Sequence, residues 1–103
     1  MMKHTPGPWV MDTIPTSVGI CHRIGPFPPR RPDDETARHA CLYADYPSVF
    51  NPADRELEAN ARLMTAAPEL LEALQACIQQ ITALCSADDV PDQALAAIAK
   101  ATA

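Results

Sequence analysis

Two cysteines and two histidines, Cys21, His22, His39 and Cys41, are the residues best suited to chemistry, because two of each make a structural zinc set. Their spacing argues otherwise. Cys21 and His22 are neighbours in a segment that alternates as a strand does, so their side chains leave on opposite faces and all four cannot meet on one ion. Cys21, His39 and Cys41 can share a face, but no CxxC or HxxxH knuckle supports a metal there, and neither a metal nor another cofactor is expected. A catalytic thiol is no better supported, since Cys41 has His39 on its own face but no third group to orient the imidazole. With only three glycines there is no Gly-rich phosphate loop. Glu56 and Glu58 fall on different sides of a helix, which suits a solvated surface. The expectation is a protein that is not an enzyme.

Binding residues stand out more clearly. Arg23, Arg30, Arg31 and Arg38 cluster in a chain whose net charge is −5 and whose pI is about 4.9. That balance excludes a general binder of long nucleic acid or of anionic membranes, which needs a sizeable basic surface, but it permits a local patch for one small anion. Further along, Asn60 and Arg62 lie beside the apolar residues Leu57, Ala61 and Met64 of a helix. Glu58 and Arg62 have the spacing of an exposed i,i+4 ion pair, worth about 0.3 to 0.5 kcal/mol. Asn60 is a poor helix former with a bidentate amide, suited to a bond with the sheet or with the broken backbone near Pro68, or to a ligand or partner. The candidate ligand-binding set is therefore Arg23, Arg38 and Arg62 for phosphates, Asn60 for a base or ribose, and Tyr43 for stacking.

These residues need a scaffold, and the pattern predicts an α+β domain: a small antiparallel β-meander of about three strands packed on a C-terminal helical hairpin, with a short final helix. One domain is expected over 1–103, strand-rich to residue 50 and helical from 51. Trp9, a packing anchor, opens a first strand through Met11, and a turn follows at Pro15 to Ser17. The second strand runs from Ser17 to Ile24 with Val18, Ile20, His22 and Ile24 on one face. A Pro-rich loop spans 25–36, and a third strand runs from Arg38 to Ala44. Asn51 is the expected N-cap of the first long helix, which must break around Thr65 to Ala67 because of Pro68. The second helix, Pro68 to about Cys85, carries Leu70, Leu74, Cys77, Ile81 and Leu84 in alternating four- and three-residue steps, with Leu71 and Ile78 beside them. This stripe is expected to hold a homo-oligomer, a dimer or higher. A last helix spans Gln93 to Ala101.

No apolar run reaches the roughly 20 residues of a membrane span, and MMKHTPGPWV has no apolar secretory core. Both absences point to the cytosol, where Cys21, Cys41, Cys77 and Cys85 are expected to stay reduced, two disulfides being the lesser reading. Cys77 and Cys85 lie about 12 Å apart along one helix and cannot bond to each other.

The opening HTPGPW (His4 to Trp9) together with EANARLMTAAPELLEAL (Glu58 to Leu74) resembles a widespread group of small phage and prophage proteins. Their recurring pattern is an N-terminal HTPGPW, a few short strands and a NARLIAAAPELLEAL-like helix. The resemblance implies phage origin and action in the cytoplasm of an infected bacterium. By size and layout it implies counteraction of bacterial immunity, either by sequestering a small anionic nucleotide of the cyclic signalling kind or, like anti-CRISPR proteins, by contacting a host defence protein through an acidic helical surface. A structural accessory without a ligand is the third reading.

Overall fold

The computed structural model describes residues 4–103, in the order β1 (Val10–Pro15), β2 (Ile20–Phe27), β3 (Arg38–Ala44), α1 (Arg55–Thr65), α2 (Ala67–Leu84) and α3 (Asp92–Ala101). A single 3-10 turn, Ala87–Asp89, lies between α2 and α3. The strands form one antiparallel sheet in the order β1, β2, β3, so the fold is α+β. The chain divides into two compact units, Pro8–Ala66 and a second made of Ala67–Ala103 with the N-terminal segment that ends at Gly7. The strands all precede residue 50 and the helices all follow residue 51, and the division into units falls at the break between α1 and α2.

In the first unit, Thr16 builds the β1–β2 turn. Its amide donates to the Gly19 carbonyl at 2.7 Å, and its hydroxyl accepts from the Gly19 amide at 3.1 Å. Gly19 admits no side chain, because a Cβ there would meet the Ala44 carbonyl oxygen at 2.5 Å. The turn uses residues expected to begin the second strand, so β2 starts later, at Ile20. It also ends later, at Phe27. Gly25 and Pro26, expected to open the loop, sit where the β2–β3 register shifts between Ile24 and Phe27, and such an irregularity tolerates a residue that has no amide to donate. Trp9 meets Phe27 edge to face, ring centroids 5.3 Å apart, which gives it the packing role expected.

The sheet has two unlike faces. On one, His22 pairs across the strands with Thr13 and Leu42, and Ile24 with Met11 and Ala40. Helix α1 lies on this face, with Ile24 at 2 % and Ala61 at 0 % exposure as the centre of the packing. On the other, Asp12, Arg23 and Cys41 form one row and Ile14, Cys21 and Tyr43 the next. Cys21 and Cys41 are diagonal neighbours there, Cα atoms 6.1 Å apart, and they form a disulfide. This corrects the expectation of four reduced thiols. Strand alternation places the two on one face, and the β2–β3 register brings them within bonding reach. Cys77 and Cys85 are free.

The N-cap of α1 is Asp54, not Asn51. Asn51 is engaged three residues earlier, its backbone exchanging hydrogen bonds with Ser48 and its side-chain amide donating to the Tyr46 carbonyl at 3.1 Å. Asp54 Oδ1 instead accepts from the Leu57 amide at 2.9 Å. Helix α1 ends at Thr65, and Pro68 stands in the first turn of α2, where its missing donor costs nothing. In the second unit Pro68 is buried, and a Cβ on Gly7 would lie 2.8 Å from its Cβ. The glycine of HTPGPW and the proline of AAPELL are therefore one contact. No helix of the described residues is long and apolar enough to cross a membrane.

Candidate functional site

The five expected ligand residues divide between the two sides of the sheet unit. Arg23 and Tyr43 project from the face that carries the disulfide, whereas Asn60 and Arg62 are exposed on α1, which covers the opposite face. Each arginine has a partner of its own. Arg23 Nη2 meets Asp12 Oδ2 at 3.3 Å, and Arg62 Nη2 meets Glu58 Oε1 at 2.6 Å. Arg38, exposed at the start of β3, donates from Nε to the Pro28 carbonyl at 2.8 Å. The loop arginines, Arg30 and Arg31, share an open concavity with Asp33 and Asp34. The cationic cluster of the sequence is thus interleaved with carboxylates.

Tyr43 is half-exposed, and its hydroxyl is 3.0 Å from the Thr16 hydroxyl; Tyr46 donates to the Thr16 carbonyl. These bonds fix the ring against the turn and leave part of it to solvent. In the next row of this face, Arg23 Nε is buried without a hydrogen-bond partner, the one such side-chain nitrogen or oxygen among the described residues. Asn60 lies outside the packed side of α1. That side is formed by Leu57, Glu58, Ala61 and Thr65, and Met64, expected within it, is exposed.

A more enclosed feature lies where the start of α1 approaches the sheet. Thr13, Ile20 and His22 form the floor of a cleft of about 140 Å³, Asp45 and Pro47 come from the β3–α1 connection, and Asp54, Arg55 and Glu58 come from the helix start. His22 is only 5 % exposed, and the Thr13 hydroxyl is 3.1 Å from its Nδ1, which turns the ring edge bearing Nε2 away from Thr13. Asp45, Asp54, Arg55 and Glu58 line this cleft; Asp54 already caps α1 and Glu58 already pairs with Arg62, which leaves Asp45 as the uncommitted carboxylate. Asp45 is the group there that can meet a cation. The volume is close to that of the roughly 150 Å³ cavity that holds benzene, so a guanidinium or ammonium head with a short stem fits. Among the described residues no group of three or more His, Cys, Asp or Glu side chains is placed to hold a metal ion.

The sequence pattern places His22 on one face of β2 with Ile20 and Ile24 but does not single out this cleft. Asp45 and Asp54 lie in a connection with no periodicity, and only the fold brings them to the imidazole.

A family model described as Salmonella phage P22 protein Y8K6 matches residues 1–103 of the chain. No curated protein and no solved structure matches it.

Proposed function

We propose that this chain, which belongs to the Salmonella phage P22 protein Y8K6 family, is a non-enzymatic binding protein that acts in the cytoplasm of the infected bacterium by contacting a host protein, a component of its immunity. One observation carries the reading. The arginines suited to phosphates are matched with carboxylates or a carbonyl, while the cleft at the start of α1 holds Asp45, a carboxylate not taken up by a cap or an ion pair, beside the buried His22. A basic side chain of the partner enters the cleft and its neighbours meet the acidic surface of a chain with net charge −5.

The test uses tagged chain produced in a bacterial host, with the captured protein identified and the complex rebuilt from two purified components. Asp45→Lys weakens the rebuilt complex by about tenfold or more, as expected when like charges are juxtaposed. Arg23→Ala leaves it unchanged. A complex that tolerates Asp45→Lys contradicts the proposal.

Capture of a small anionic nucleotide is the second reading. It is favoured by the half-exposed Tyr43 ring, a stacking surface on the face of the sheet that also carries Arg23. Arg38, Asn60 and Arg62 then contribute only through a second molecule or a rearrangement. Native mass spectrometry with cyclic di- and trinucleotides separates the two readings: stoichiometric nucleotide mass, lost in Arg23→Ala, supports capture.

A further inference from the structure

On the face of the sheet away from α1, the cross-strand row Asp12, Arg23, Cys41 has a donor without an acceptor. Arg23 stands in the middle of the row. On one flank Asp12 Oδ2 accepts from its Nη2. On the other flank is Cys41, whose sulfur is bonded to Cys21, and sulfur is a weak acceptor. Arg23 Nε is left buried and unpartnered, a loss of hydration that the closed bond does not repay. Cys41 is exposed and Cys21 half-buried, so the bond offers one sulfur to solvent. It also ties strands that hold together without it. The β2–β3 ladder continues on both sides of the cysteines, from Ile20 opposite Ala44 to Phe27 opposite Arg38.

We infer that Cys21 and Cys41 form a reversible thiol–disulfide pair, and that Cys41 is a thiolation site for low-molecular-weight thiols and their disulfides. A thiolate RS− attacks the exposed Cys41 Sγ. The new S–S bond forms there as the Cys41–Cys21 bond breaks, and the electron pair leaves on Cys21 Sγ, which takes up a proton. A second RS− attacks the outer sulfur of the adduct, releasing RSSR and leaving Cys41 as a thiolate. Two RSH are thereby oxidised to RSSR, and the protein disulfide gains the two electrons. In the reverse direction the Cys41 thiolate attacks RSSR, and Cys21 resolves the adduct. Arg23 links the two states. Opening the bond turns the weak acceptor on its flank into a thiolate, which supplies the partner that Nε lacks, and the guanidinium stabilises the charge.

The test uses the full chain carrying Cys77→Ser and Cys85→Ser, so that only the pair reports. Folded protein is equilibrated in glutathione buffers spanning the cytosolic range, quenched with acid, alkylated and weighed by mass spectrometry. Dithiol and disulfide forms are both present, and the circular dichroism of the fold is retained. With Cys21→Ser added, glutathione disulfide leaves one lasting glutathione on Cys41. Arg23→Gln slows that step by about threefold or more at neutral pH and moves its pH profile upward, the lost thiolate being partly offset by higher nucleophilicity. A pair that stays wholly in one form across the glutathione range, a Cys41 that takes no glutathione, or a thiolation rate indifferent to Arg23→Gln each overturns the inference.

Discussion

At the scale of single residues, the strongest statements concern contacts that leave no room or no substitute. A methyl group on Gly7 would stand 2.8 Å from a buried proline ring, so Gly7→Ala destabilises the second unit by about 1 to 3 kcal/mol, read as a lower urea midpoint. Asp54→Ala removes the cap of α1 and costs about 1 kcal/mol by the same measurement. Arg62→Ala, by contrast, removes an exposed i,i+4 partner of Glu58 and changes stability by less than about 0.5 kcal/mol. Legibility at this scale follows the range of the interaction. The Glu58–Arg62 pair is set by helix spacing alone and could be read directly. The Gly7–Pro68 contact joins residues far apart in sequence, so the motifs holding them looked like two separate signatures.

Among the elements, β3 spans the expected Arg38 to Ala44, and the break before Pro68 lies where proline chemistry requires it. Boundaries moved where a turn or a bulge competed with a periodic pattern. Thr16 to Gly19 close a turn that the alternating Val18 and Ile20 conceal, and Gly25 to Phe27 remain in β2 because the register shift accommodates the proline. The cysteine pair was legible in geometry and misread in chemistry. Cross-strand alternation put Cys21 and Cys41 on one face, and the sheet register brings their Cα atoms to 6.1 Å. Alkylation of the unfolded, unreduced protein therefore labels Cys77 and Cys85 only, with all four cysteines labelled after reduction. A mass shift for four labels without reductant contradicts the bond.

For the whole molecule, the chain belongs to a phage family and has an α+β fold, and the proposed function turns on which sign of charge the protein recognises. The arginines drew attention in the sequence because their type suits phosphates. The fold then gives Arg23 and Arg62 carboxylate partners, places them on opposite sides of a sheet, and assembles an acidic cleft from residues without periodic spacing. The most direct test is a pair of NMR titrations of the full chain, one with Nα-acetyl-arginine amide and one with a cyclic dinucleotide. Cation recognition predicts shifts with the arginine amide that cluster at His22, Asp45, Asp54 and Glu58, with an affinity near the millimolar range of a single side chain, and no response to the dinucleotide. Shifts with the dinucleotide at Arg23 and Tyr43, and none at the cleft with the arginine amide, would contradict it.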